Sequence, residues 1–262
     1  MQSITAKSYA KINWSLRITG KRADGFHDLE TVFQTISLHD ELTFRTSDQL
    51  SLSCDDATIP TDDTNLVMRA ARLLQSPPVA IELRKRIPAG GGLGGGSSNA
   101  AATLVALNEM FGLHREDLPE LALSLGSDVP FFLLGGTAYA TGRGEVLTEL
   151  PSMSGIPLLL LLPEERVMTK NAFARITQYS PPLGIDAYRA GFANYTNDFE
   201  EPVFAMLPRL RDLKQRLYDA GATWASMTGS GSTIVGAFAD VEMRDAAVAA
   251  FSDVQVERAD TI

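Results

Sequence analysis

Between Pro88 and Ser98 the chain reads Pro-Ala-Gly-Gly-Gly-Leu-Gly-Gly-Gly-Ser-Ser, six glycines within seven positions. The run leads straight into an alanine-rich helical pattern. Only glycine enters positive φ freely and lets another group touch its backbone. Successive bare N–H groups opening onto a helix form an anion cradle, because the amide dipoles and the helix macrodipole point at the same charge. The tract therefore predicts a polyphosphate site at the join of a strand (79–87) and a helix. Gly/Ser runs elsewhere are flexible linkers. Ordered apolar patterns on both sides argue against that reading here.

A polyphosphate brings charge into a chain whose own net charge is −9. That balance excludes a general nucleic-acid or membrane-surface binder, which needs a basic face. The ligand's charge has to be met locally, by amides, a few Lys/Arg and a metal. A length of 262 residues allows one large domain or two modest ones. The single cysteine, Cys54, excludes an internal disulfide framework and a cysteine-based zinc site. The opening Met-Gln-Ser-Ile-Thr lacks a basic-then-apolar leader, and no apolar run approaches the roughly 18 residues of a membrane span. A reducing, cytoplasmic setting is expected.

Strict alternation from Ile4 to Ile18 predicts a half-buried strand with Lys11 and Asn13 together on its polar face. Further strands are expected at 31–37 and 41–45. Asn65 is placed to cap a helix carrying Leu66, Ala70, Leu73 and Leu74. The helix after the glycine run presents Ala100, Leu104, Leu107 and Phe111 and stops at Gly112; the next stops at Gly126. Strand-like segments follow to about Leu150, and 151–157 reads as a hinge or linker. The second half offers a strand at 158–162, a leucine-faced helix ending near Leu217, strands at 223–226 and 234–238, and a closing helix at 241–251. That layout is α+β.

Each candidate group has an ordinary structural explanation beside the functional one. Gly90, Gly92 and Gly95 spell G-x-G-x-x-G, but no acidic residue stands at a strand end about 20 positions on, so dinucleotide binding is not expected. No lysine precedes Ser97, so the Walker pattern fails too. Lys11 and Asn13 can bind a hydroxyl or phosphate oxygen, or simply face solvent. Asp128 before Val-Pro is a good helix N-cap. Phe26 and His27 after the Asp24-Gly25 turn can stack on a base or pack on the sheet. The run Thr228 to Ser232 is either a second N–H nest or a plain turn.

Taken together these segments resemble the GHMP small-molecule kinases over nearly the whole chain. The resemblance is carried by Ala10-Lys-Ile-Asn-Trp-Ser, by Arg22-Ala-Asp-Gly-Phe-His27, by Asn65-Leu-Val-Met-Arg-Ala-Ala71, and by the run from Ile87 to Ala101. Gly126-Ser-Asp-Val-Pro130, Thr196-Asn-Asp-Phe-Glu200 and Met227-Thr-Gly-Ser-Gly-Ser232 complete it in order. The resemblance implies an α+β GHMP-kinase fold of two halves with the active site in the cleft between them. Residues 1–150 would form the N-terminal domain with the ATP site and catalytic pair. Residues 151–262 would form a ferredoxin-like α+β domain on the substrate side. It implies ATP-dependent phosphorylation of the 2-hydroxyl of a cytidine-diphosphate-linked methylerythritol, a small molecule, with Mg²⁺, by a monomer or homodimer.

Carried over by position, Lys11 and Asp128 become the catalytic pair. Asn65, Leu66, Pro88, Ala89, Gly90, Gly91, Gly92, Leu93, Gly94, Gly95, Gly96, Ser97 and Ser98 become the ATP site, with Ser97 and Ser98 near the metal. Asn13, Phe26, His27, Thr169, Phe173, Gly229 and Gly231 become the acceptor site, the cytosine lying between the Phe26 and Phe173 rings. Phe26 and Phe173 stand where the family pattern has tyrosine, and Ser127 where it has alanine. Two alternatives are kept open: a GHMP kinase for another small alcohol of homoserine or mevalonate type, and a non-catalytic nucleotide sensor of the same fold.

Overall fold

The structure is a computed structural model describing residues 2–189 and 195–262. In chain order its strands and helices are β1 (Ser3–Lys21), β2 (His27–Thr46), β3 (Ser51–Cys54), α1 (Leu66–Leu74), β4 (Val79–Arg84), α2 (Gly95–Met110), α3 (Leu118–Leu125) and α4 (Val129–Leu134). There follow β5 (Thr137–Thr141), β6 (Val146–Glu149), β7 (Pro157–Leu162), α5 (Thr169–Phe173), α6 (Ile185–Arg189), α7 (Glu200–Met206) and α8 (Pro208–Asp219). The chain closes with β8 (Trp224–Met227), β9 (Ile234–Ala237), α9 (Val241–Ala247) and β10 (Gln255–Asp260). Two compact units result, neither contiguous in sequence. One comprises Met1–Ala10, Leu38–Ala89 and Gly94–Gly135; the other Lys11–Ser37, Gly90–Leu93 and Gly136–Ile262. The long strands β1 and β2 contribute residues to both.

In the first unit, β4 pairs in parallel with β3 and antiparallel with the end of β2. The β3–α1–β4 connection is a parallel strand–helix–strand unit. Asn65 caps α1 as read from sequence, its Oδ1 accepting from Val67 N–H at 2.9 Å. Apolar residues of α1 to α4 close one core over this sheet, with Leu74, Leu104, Leu107, Ala122 and Val129 all buried among Leu42, Phe44 and Ile81. The strand-like stretch expected to follow Asp128 starts only at Thr137, while a helix does begin directly after Asp128, the short α4. Pro130 sits in its first turn, where a fixed φ and a missing N–H suit a helix start.

The second unit holds an antiparallel sheet in the order β10-β7-β9-β8. Strand β7 is buried along its whole length, as its unbroken leucine run predicts. Helix α8 buries Leu210, Leu213 and Leu217 in the same core as Phe204, Phe238 and Phe251. Trp14 and Trp224 meet edge to face, ring centroids 4.7 Å apart. The stretch 151–157 is not a loose linker. Gly155 N–H donates to the Thr261 carbonyl, Ile156 N–H donates to Thr261 Oγ1 at 2.8 Å, and that hydroxyl donates to the Met153 carbonyl at 2.5 Å. Met153 N–H donates in turn to Thr137 Oγ1. Among the described residues no helix is long and apolar enough to cross a membrane.

Replacing Thr261 by valine keeps the side-chain shape but strands the Ile156 N–H and the Met153 carbonyl. The expected loss is about 1–3 kcal/mol, read by calorimetry as a fall of roughly 2–4 °C per kcal/mol for a chain of this size. An unchanged melting point would mean that 151–157 is held by other contacts.

Candidate active site

The alternation of β1 holds only at its start. From Ala10 to Leu16 the strand is buried on both faces, so Lys11 and Asn13 do not sit on a solvated surface. In the second unit Lys11 is 3 % exposed, and its Nζ donates to Asn13 Oδ1 at 2.6 Å and lies 5.4 Å from the Phe33 ring centroid. A buried ammonium needs such partners, because desolvation otherwise disfavours its charge. Asn13 is the hub. Its Oδ1 also accepts from Gly229 N–H at 3.0 Å, its Nδ2 donates to Thr31 Oγ1 at 2.7 Å, and its own N–H donates to Thr228 Oγ1. Asn13 is 2 % exposed. Through these bonds Asn13 braces Lys11.

The second glycine run is the hairpin loop between β8 and β9. Its two glycine N–H groups have partners inside the protein: Gly229 donates to Asn13, and Gly231 to the Thr228 carbonyl at 3.1 Å. The run forms a tight turn, with these two amides held by protein partners. Asn197, from the Thr196–Glu200 motif, holds that turn by donating through Nδ2 to the carbonyls of Met227 (2.6 Å) and Gly229 (2.8 Å). Glu200 adds acceptors for Ser226 Oγ and Met227 N–H. Against the turn rests the first part of the earlier glycine run. Lys11 N–H donates to the Leu93 carbonyl at 3.0 Å, and Thr233 N–H donates to the Gly91 carbonyl. Gly92 lies so close that a Cβ there would overlap the Thr228 carbonyl oxygen, and its φ is +78. At this position the missing side chain makes room for protein backbone.

In the first unit the later part of the run starts α2, with Gly94 at the N-cap in the left-handed region. Ser98 is 3 % exposed; its hydroxyl donates to the Tyr9 carbonyl at 2.6 Å and accepts from Ser8 Oγ at 2.7 Å. That hydroxyl is enclosed by protein partners. Ser97 is half-exposed and Gly96 exposed in the same turn. Asp128 is half-buried and stands at the N-cap position of α4, yet its side chain makes no capping hydrogen bond. The structural role that its local sequence favoured is not the one its carboxylate performs. Among the described residues no group of three or more His, Cys, Asp or Glu could hold a metal ion.

In the second unit, half-buried His27 stacks on half-buried Phe173 with centroids 4.7 Å apart and planes 16° apart, and Phe173 meets buried Phe199 edge to face. Phe26 is 51 % exposed, with the Arg143 guanidinium 4.7 Å over its ring. The stacked pair is thus His27–Phe173. Burial pushes the His27 pKa down, and Lys21 adds to the effect. Exposed Thr169 is within hydrogen-bond distance of Ser230 Oγ, at 2.9 Å.

The N-terminal domain of the GHMP kinases matches residues 65–136, and the family's C-terminal domain matches residues 186–255. A 4-diphosphocytidyl-2-C-methyl-D-erythritol kinase from Chlorobium phaeobacteroides strain BS1 is 44% identical over 95% of this chain and 93% of its own. The chain belongs to the GHMP kinases, in the 4-diphosphocytidyl-2-C-methyl-D-erythritol kinase branch. A crystal structure of 4-(cytidine 5'-diphospho)-2C-methyl-D-erythritol kinase superposes with a TM-score of 0.87 at 34% identity, covering 98% of this chain and 99% of that one. A homoserine kinase from Cytophaga hutchinsonii, at 22% identity and a TM-score of 0.72 over 100% of this chain and 95% of its own, shares the fold.

In the sequence of this GHMP kinase Asn197 has no evident role and Glu30 stands in no motif. Glu30 is buried and accepts from Tyr139 OH (2.5 Å), Leu183 N–H (2.7 Å), Gly184 N–H (2.9 Å) and Tyr188 OH (3.4 Å). Burial raises its pKa, but these donors outweigh burial and hold the carboxyl below its ordinary value. Nothing local marks it, since the two backbone donors lie more than 150 positions away in sequence.

Two outcomes follow from this geometry. Gly92→Ala is expected to lose about 1–3 kcal/mol in urea unfolding from overlap and positive φ. Gly96→Ala meets only Leu66 at 3.8 Å, so it should stay within about 0.5 kcal/mol of wild type. Because the folded pKa of Glu30 is lowered, its ionised form stabilises the fold above the unfolded carboxyl pKa. That contribution is lost as pH falls through the folded value. Glu30→Gln should therefore destabilise the protein at pH 7, with the gap to wild type narrowing below about pH 5. A gap independent of pH would refute the ionised hub.

Proposed function

We propose that this chain transfers the γ-phosphate of ATP to the 2-hydroxyl of 4-diphosphocytidyl-2-C-methyl-D-erythritol, a step in non-mevalonate isoprenoid precursor biosynthesis. The observation that carries the reading is the 44% identity across 95% of the chain with a kinase of that name. The buried, oriented Lys11 and the glycine-opened helix α2 support it. We place the reaction in the cytoplasm, in keeping with the acidic, single-cysteine composition, and assign the ATP site and catalytic pair to residues 1–150 and the acceptor side to 151–262 together with Phe26 and His27.

Phosphoryl transfer depends on alignment and charge neutralisation more than on covalent help. Asp128 acts as general base for the acceptor hydroxyl. Lys11, held by Asn13, stabilises the developing oxyanion and the transferred phosphoryl group. Amides of residues 90–97 receive the polyphosphate, and Asn65 and Leu66 lie by the adenine. Phe26, His27 and Phe173 supply the aromatic surface for cytosine, where stacking is worth roughly 1–3 kcal/mol, and Thr169 contacts the same substrate. Mg²⁺ fits a site of this kind because it keeps waters and phosphate oxygens and needs only one or two protein ligands. Ser97 would be the hydroxyl to hold it, and the ion would neutralise phosphate charge.

ATP consumption with and without the cytidylated acceptor tests the reading directly; acceptor-independent consumption alone would overturn it. Asp128→Asn and Lys11→Ala are each expected to lower turnover by about 10²-fold or more. Thermal stabilisation by ATP should persist, near 2.7 kcal/mol at about 100 times Kd. Wild-type turnover in Asp128→Asn would remove the base assignment.

A further inference from the structure

One buried carboxylate has no part in the chemistry above. Asp40, near the end of β2 in the first unit, is 0 % exposed. Its Oδ1 accepts from Arg86 N–H at 2.7 Å and Ile87 N–H at 2.8 Å, the residues that lead into the glycine run. Its Oδ2 accepts from Lys85 Nζ and from Asn99 Nδ2 (2.9 Å), the latter in the first turns of α2. Asn99 Nδ2 also donates to Ser8 Oγ, which continues through Ser98 Oγ to the Tyr9 carbonyl. A single side chain therefore ties together the segment before residue 88 and the segment after residue 98.

We propose that Asp40 is a positioning residue for nucleotide binding: its two oxygens fix the distance between the two ends of the 88–98 run, so that the amides are set before ATP arrives. The inference rests on the ATP reading of that run. Neutralising Lys85 alone does not explain the arrangement, because one oxygen suffices for an ion pair. The other oxygen is given wholly to two backbone amides. Burying a carboxylate is expensive, and a packed apolar residue would hold a core more cheaply. The Lys85 ammonium lies 3.2 Å from where a Gly95 Cβ would stand. A cation at the first residue of a helix opposes the macrodipole, and Asp40 offsets it. Ordering that is already present in the free protein need not be supplied by the ligand, and affinity rises accordingly.

The test compares wild type, Asp40→Asn and Asn99→Ala by ATP titration calorimetry, by separate KM values for ATP and acceptor, and by amide exchange of peptides covering 86–99. Asn99→Ala leaves the Asp40–Lys85 pair in place, so it remains informative if Asp40→Asn folds poorly. Both variants should weaken ATP binding about tenfold, the loss that accompanies one hydrogen bond to a charged group. The acceptor KM should stay within about twofold, as for an independent site. Exchange over 86–99 should quicken without a matching change in β7 or β9. Equal loss for both substrates, or ATP binding within about twofold of wild type in both variants, would overturn the inference alone. A wild-type protein that does not bind ATP would instead overturn the functional reading beneath it.

Discussion

Burial of β1 on both faces between Ala10 and Leu16 is the constraint on which the rest of the candidate site depends. A strand with one wet face could leave Lys11 and Asn13 to solvent. Here each polar group must find a protein partner or bear the full cost of desolvation. Asn13 resolves this by serving a lysine, a threonine and a glycine amide together. Ser15 does the same for the chain at Thr196, whose carbonyl accepts from its hydroxyl at 3.0 Å. The catalytic lysine of the proposed mechanism is thus held by the same interactions that make the strand foldable.

The second layer of support comes from carboxamides and carboxylates that bridge distant segments. Asn197 fixes the β8–β9 turn, Glu30 fixes the chain at 183–184, and Asp40 fixes the two ends of the 88–98 run. Each presents several acceptors or donors from one compact side chain and so sets backbone spacing directly. Apolar packing fills both cores but leaves loop geometry loosely specified, and buried polar groups add that specification at some expense in stability.

What was legible in the sequence was local. The cap at Asn65, the glycine-opened helix and the leucine face of α8 follow from periodicity and backbone chemistry within a few residues. The segments that local pattern left undecided or misassigned are those set by distant partners. The Thr228–Ser232 run has the composition of an anion nest, yet Asn13 takes one of its amides from 216 positions away. The stretch 151–157 has the proline and serine content of a linker, yet Thr261 pins it. Phe131 to Leu134 is an apolar run too short for periodicity to separate strand from helix. The proposed members of the site stand in several motifs in order, whereas the braces Asp40 and Glu30 carry no pattern of their own.

The mutual fit of the two glycine segments has a consequence for how this enzyme can diverge. Since the backbone at Thr228 fills the space left by Gly92, neither stretch has an independent shape to conserve. Transplanting one of them into a related scaffold would import half of a matched surface. Chimaeras should tolerate exchange of the pair far better than exchange of either member, and drift at one should be answered at the other.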